Sequence, residues 1–317
     1  MMDVVSLGEL LIDFTCTGMD ADGYPAMQAH PGGAVANFLG ALAKFGAKTA
    51  LLGKVGEDAF GKLLVGTLKS AGICADGIVI DKRYFTTLAF VTLDKTGDRE
   101  FSFARKPGAD TKLSADEVRF DLIDRAKVFH FGTLSLTDQP ARMATQAAVA
   151  YAKEKGKLIT YDPNLRKPLW RCMNSCRRQL LWGLAQADVV KISDNEVEFL
   201  FGMTPQAGAK YILENYPVKL VFVTCGGDGC YFANQKASGW VSALPGITPV
   251  DTTGAGDIFG GSAIWKLLQL GQDPEMLTQE QLRQITAFAC AAAGLSTQRP
   301  GGLSAVPSYE EVLAALK

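Results

Sequence analysis

The sequence carries almost no surplus charge: 32 Lys and Arg stand against 33 Asp and Glu, for a formal net charge of −1. Without a basic stripe to condense on a phosphate backbone or an anionic surface, nucleic acid and membrane are not expected as partners. Long apolar runs are also missing. The longest, the alanine-rich stretch 287–295, falls well short of the roughly 18 residues of a membrane helix. Only two histidines, His30 and His130, accompany seven cysteines, an odd number with no secreted spacing. Reduced thiols are expected, and zinc, which needs about four ligands, is not. Cys225 reads either as a reactive thiol or as a small buried residue. The first residues hold acids, Asp3 and Glu9, where a secretory signal requires a basic end and an apolar run, so the chain reads as cytoplasmic.

What is present is globular: 317 residues, 48% of them hydrophobic, enough to bury a substantial core. Short runs rich in Val and Ile alternate with segments of helical period, the mark of a parallel sheet covered by helices. Strands are expected at 3–8, 49–53, 128–131, 158–162, 189–192 and 220–224. Helices are expected near 34–45, 58–71, 138–155, 175–187, 194–202, 255–270, 278–295 and 308–316. Two stretches break the alternation. Residues 85–93 and 99–105, joined by Asp94-Lys95-Thr96-Gly97-Asp98, read as a hairpin. A polar, glycine-containing excursion covers about 15–30. Neither is large enough to stand alone, so 1–317 is expected to be one α/β domain with segments 15–30 and 85–105 forming a small β lid over the strand ends.

Three glycine turns carry the chemistry. Asp251-Thr252-Thr253-Gly254-Ala255-Gly256-Asp257 precedes a helical run, and small residues there would leave peptide N–H groups open at the positive end of a helix. Asp257 would face the same space, as an acid that accepts a hydroxyl proton does in phosphoryl transfer. The plainer reading is a capped helix with an acid placed for its dipole. The turn is neither a dinucleotide fingerprint, because Phe259 occupies the third small position, nor a Walker loop. Thr224-Cys225-Gly226-Gly227-Asp228-Gly229 could admit a nucleotide or simply turn a hairpin. Pro31-Gly32-Gly33, with Asn37 one helical turn on, could offer amides to hydroxyls or merely join a strand to a helix.

Gly32-Gly33 with Asn37, and the run from Asp251 to Asp257, resemble the two signatures of the ribokinase-like (PfkB) carbohydrate kinases. Further segments resemble the fructokinase branch: Gly8-Glu9-Leu10-Leu11-Ile12-Asp13-Phe14, Gly53-Lys54-Val55-Gly56-Glu57-Asp58, Asp162-Pro163-Asn164-Leu165-Arg166 and Lys191-Ile192-Ser193-Asp194. The resemblance implies a doubly wound, mostly parallel sheet with a β lid, and an ATP-dependent enzyme that phosphorylates the 6-hydroxyl of fructose. Ribose and 2-keto-3-deoxygluconate are alternative acceptors, and a sugar-sensing protein of the same fold is the non-enzymatic one.

By the same resemblance, Asp257 is the base, and the amides of Gly254, Ala255 and Gly256 form the anion hole. Asp13, Gly32, Gly33, Asn37, Phe103 and Arg105 hold the sugar. Arg166 brings positive charge toward the phosphates, or else pairs with Asp162 or Glu196. Lys191, Glu196, Thr224, Gly226 and Gly229 serve the nucleotide. Glu196 orients Mg2+, and Asp251 with Thr253 matches a K+ site. A homodimer formed through the lid is implied as well. Ser193 stands where many family members have Asn, which favours the fructokinase branch.

Overall fold

The computed structural model describes residues 1–93 and 99–317, so the turn expected at Asp94 to Asp98 lies outside the described residues. In chain order the strands are β1 (Val4–Leu7), β2 (Leu11–Met19), β3 (Pro25–Gly32), β4 (Thr49–Gly56), β5 (Ile73–Asp81), β6 (Leu88–Leu93), β7 (Arg99–Ala104), β8 (Val128–Gly132), β9 (Leu158–Asp162), β10 (Val189–Ser193), β11 (Leu220–Thr224), β12 (Cys230–Asn234) and β13 (Ser238–Val241). The helices are α1 (Ala34–Lys44), α2 (Ala59–Ser70), α3 (Phe120–Asp124), α4 (Ala141–Glu154), α5 (Met173–Leu184), α6 (Asp194–Phe201), α7 (Pro205–Asn215), α8 (Ala255–Leu270), α9 (Gln279–Ser296) and α10 (Tyr309–Ala315).

The main sheet has nine strands in the order β13-β12-β11-β10-β9-β8-β1-β4-β5. From β11 to β5 every pairing is parallel, and β12 and β13 add an antiparallel edge. Because strand side chains alternate faces, each strand feeds two cores. Val4, Val189, Leu220 and Phe222 pack with α1, α2, α8 and α9. Val5, Val190, Val221 and Val223 pack with α3, α4, α5, α6 and α7 on the opposite face. Burial on both faces explains why these strands read as continuous apolar runs. This is the ribokinase-like, doubly wound α/β arrangement.

The second sheet is the lid, with strand order β3-β2-β6-β7; β2 pairs with β6 in parallel and the other pairs are antiparallel. It begins earlier than the sequence suggested, at Leu11 rather than near residue 15, since Leu11 and Ile12 at the root of β2 are buried in the main body. Five regular elements escaped the sequence reading, the short helix α3 among them. Strand β5, at the sheet edge, buries only every fourth residue, Ile73, Gly77 and Asp81, β12 follows a glycine turn, and β13 is a short edge strand of four residues. Helix α7 opens on Pro205, which looks like a breaker but sits in the first turn behind a Thr204 cap, where proline is favoured. Helix α4 starts three residues later than expected because Pro140 is its N-cap. Among the described residues, no helix is long and apolar enough to cross a membrane.

Candidate active site

The carboxyl ends of the parallel strands open on a cleft of about 440 Å³, the place where ligands bind in doubly wound sheets. The main body lines it with Glu9, Asn37, Asn164, Arg166, Gly254 and Asp257, and the lid contributes Leu11, Asp13 and Phe103.

Helix α8 enters the cleft at its N-terminus. Gly254 is the N-cap with φ 75, a left-handed conformation, and no side chain caps the turn. A Cβ on Gly254 would lie 2.9 Å from Asn37 Nδ2 and 3.0 Å from the Gly302 Cα, so glycine is required there for both conformation and space. Ala255 N–H makes a long 3.3 Å contact to Thr252 O, while the amides of Gly254 and Gly256 find no acceptor among the described residues. The positive end of the helix dipole is thus open to an anion.

Asp257 lies in the first turn, 8% exposed. Its Oδ2 accepts from Asn37 Nδ2 at 2.9 Å, and its Oδ1 accepts from Asn164 Nδ2 at 3.0 Å. Burial raises its pKa above the ordinary carboxylate value, while Asn37, Lys191, Arg166 and Asn164 pull it back. Two fixed amide donors leave one lone pair on each oxygen for a hydroxyl proton. Asn37, expected at the sugar, is also an anchor of Asp257.

Asp13 projects from β2 over Gly32, where a Cβ would collide with its Oδ2. Burial, with Asp257 and Asp251 nearby, pushes the Asp13 carboxyl up to about 7 against the pull of Arg166. Gly33 caps α1 with φ 118, and a Cβ there would meet the Glu9 carbonyl at 2.5 Å. Glu9 itself was assigned no role from the sequence. Its Oε1 accepts from Ala34 N–H at 2.6 Å, capping a helix that has no acid in its own first turn. Burial pushes the Glu9 carboxyl up to about 7.

Arg166 is exposed at the rim and pairs with neither Asp162 nor Glu196; its hydrogen bond is to the Leu165 carbonyl, at 3.3 Å. Asp162 is bonded instead to Lys191, at 3.0 Å. Glu196 is buried, taking Leu165 N–H on Oε1 and Ser193 N–H on Oε2 at 2.6 and 2.8 Å, which forms a capping box at the start of α6. Asp251 accepts from the amides of Thr253 and Gly301, both at 2.9 Å, and so ties the turn before α8 to the segment after α9.

Arg105 and the second glycine turn lie apart from the cleft wall. The Arg105 guanidinium is buried, bonded to Asp110, to Thr137 Oγ1 and to the Leu134 carbonyl, and anchors the root of the lid. Gly226 and Gly229, with φ 53 and 112, turn β11 past Thr224 into β12. Cys225 is 8% exposed, and burial pushes its thiol up to about 11, the behaviour of a packed residue. Sequence reasoning quoted Asn164 without giving it a function. Its signal was local: a short amide two residues after an acid, which accepts its backbone N–H at 3.1 Å, in a turn that adopts the left-handed region at φ 43.

Comparison with known proteins gives the family. Residues 1–308 match the pfkB family of carbohydrate kinases. Fructokinase-2 of Solanum habrochaites is 42% identical over 99% of this chain and 96% of its own length. Fructokinase-1 of Zea mays is 41% identical over 99% and 97%. Among solved structures, ATP-bound fructokinase from Xylella fastidiosa superposes with a TM-score of 0.91 at 29% identity, covering 100% of this chain and 98% of that one. Fructokinase from Vibrio cholerae O395 in its fructose, ADP and calcium form gives 0.87 at 30% identity, covering 100% and 99%. The chain belongs to the pfkB family of carbohydrate kinases.

Proposed function

We propose that the protein is an ATP-dependent fructokinase that moves the γ-phosphoryl group of ATP to the 6-hydroxyl of fructose, with Asp257 as the base. The single observation behind this reading is Asp257 itself, held by two amide donors beside an open helix N-terminus in the cleft. Asp257 takes the hydroxyl proton as the sugar oxygen bonds to the γ-phosphorus. The bond from that phosphorus to the β–γ bridging oxygen breaks, and ADP leaves with the electron pair. The amides of Gly254, Ala255 and Gly256 receive the charge spread over the transferred group. Asp13, Gly33 and Asn37 hold sugar hydroxyls, for which carboxylate and amide side chains supply the needed acceptors and donors. Gly32 leaves space for the Asp13 carboxylate, Phe103 covers the sugar from the lid, and Arg166 brings a cation to the phosphates.

No three acidic, His or Cys side chains converge in a metal-ligating cluster among the described residues. A magnesium ion would therefore take most of its ligands from phosphates and water, with Glu196 orienting that water. When bound, the ion neutralises charge on the phosphates. Asp251 and Thr253 supply the hard oxygens that suit potassium, and Asp251 already joins the two segments such an ion would order. Thr224, Gly226 and Gly229 border the nucleotide. The exposed Met19 and Tyr24 near the β3 edge of the lid would be covered in a lid-to-lid homodimer, and the enzyme works in the cytoplasm.

The test is turnover with ATP across fructose, ribose and 2-keto-3-deoxygluconate, with the phosphorylated carbon located by NMR. The highest kcat/KM for fructose, with product labelled at carbon 6, is expected. Preference for either other acceptor would overturn the fructose assignment, and sugar binding without transfer would overturn the enzyme.

A further inference from the structure

Behind Asp257 lies a closed circuit of contacts. Lys191 Nζ donates to Asp162 Oδ2 at 3.0 Å, and their side chains are only 12% and 8% exposed. Asp162 Oδ1 accepts Asn164 N–H at 3.1 Å, and Asn164 Nδ2 donates to Asp257 Oδ1 at 3.0 Å. The ring closes through the first turn of α8. A Cβ on Gly256 would lie 2.9 Å from Lys191 Nζ, so the ammonium sits directly beneath the turn that carries Asp257. Lys191 does not line the cleft, but it does line a small internal space with His130, Asp162 and Gly260. A buried cation in this place cannot reach out to a nucleotide without leaving Asp162 buried and unpaired, a costly arrangement.

We infer that Lys191 and Asp162 are a positioning pair for Asp257: Asp162 fixes the strained Asn164 turn, and Lys191 places a positive charge under the base. The inference rests on the reading of Asp257 as the base and revises the nucleotide role expected for Lys191. The charged groups that act on Asp257 are Lys191 of β10, Asp162 at the end of β9, Arg166 four residues beyond it, and Asp13 of β2; Glu196 of α6 acts in turn on Lys191. Asn37 and Asn164 are neutral. Of the two cations, Lys191 is the buried one, so its charge is the less screened by solvent.

The experiment is the pH profile of kcat for the wild type, Lys191→Met, Lys191→Arg, Asp162→Asn and Asp257→Asn, with thermal unfolding to confirm that each variant is folded. Removing the cation raises the pKa of the base, so the acid limb of Lys191→Met should move up by about one pH unit, about a tenfold loss on that limb. The KM for ATP should stay within about twofold. Lys191→Arg should restore the limb. Asp162→Asn keeps a side-chain acceptor but frees the cation, so its limb should move down. This opposite sign keeps the test decisive should Lys191→Met fail to fold. An unmoved limb in both variants, or a raised KM for ATP with an unmoved limb in Lys191→Met, would overturn the inference. Full activity in Asp257→Asn would instead overturn the base assignment on which it stands.

Discussion

Asn164 holds Asp257 from a backbone that few residues adopt: its Nδ2 lies 3.0 Å from Asp257 Oδ1 while its φ is 43, the only positive φ among the described non-glycine residues. Left-handed strain of this kind persists where the surroundings over-determine it, and it clusters at functional sites. A hydrogen bond to a charged group is worth about 1.5–3 kcal/mol, which sets the expected loss in kcat for Asn164→Gly at roughly 10–100-fold. Glycine keeps the turn and removes only the donor. Asn164→Ala adds backbone strain, so it should lose stability as well, measured by thermal unfolding beside turnover. Wild-type turnover in the glycine variant would remove Asn164 from the mechanism.

Gly33→Ala should cost stability rather than merely activity. At φ 118 a methyl group would be strained in any surroundings, and here it would also meet the Glu9 carbonyl at 2.5 Å. A loss of about 1–3 kcal/mol in denaturant unfolding is expected from the backbone alone.

Arg105→Leu should loosen the root of the lid. It leaves Asp110 buried without its partner and strips a donor from the Leu134 carbonyl, next to a side chain that lines the cleft. Breaking a buried pair in this way costs about 3–5 kcal/mol of folding stability. The KM for sugar should rise more than kcat falls. If KM is unchanged in a folded Arg105→Leu enzyme, the lid does not depend on this anchor.

The doubly wound sheet was legible in the sequence because its strands are buried on both faces and therefore read as unbroken runs such as Leu220–Thr224. The helix start at Gly254 was legible because small residues next to an acid leave few alternatives. Long-range partnerships were not. Glu9 caps a helix 25 positions away, and nothing in its neighbourhood announces that. The resemblance gave Lys191 a nucleotide role, and only the fold shows it facing Asp162 on the adjacent strand β9. Arg105 looked like a lid residue pointing at substrate, whereas Asp110, five positions on, captures it. Pairings of this kind depend on strand order, which periodicity does not specify.

Stability should depend on pH through Glu9 and Asp13. Both carboxyls are raised to about 7 in the folded protein from ordinary values of 4.5 and 3.8. The native state therefore holds their protons more tightly than the unfolded chain does, and stability falls as pH rises from about 4 toward about 7. Glu9→Gln should flatten the fall in melting temperature between pH 5 and 7 measured without ligand. An equal slope in wild type and variant would show that Glu9 is ionised throughout.

The most direct measurement is turnover of Asp257→Asn with ATP and fructose near neutral pH. The substitution keeps the side chain's size and removes its capacity to take a proton. Loss of a general base lowers kcat by about 10²–10⁴, and that loss is expected with the KM for ATP little changed and the fold intact by thermal unfolding. Turnover at the wild-type rate would contradict the account.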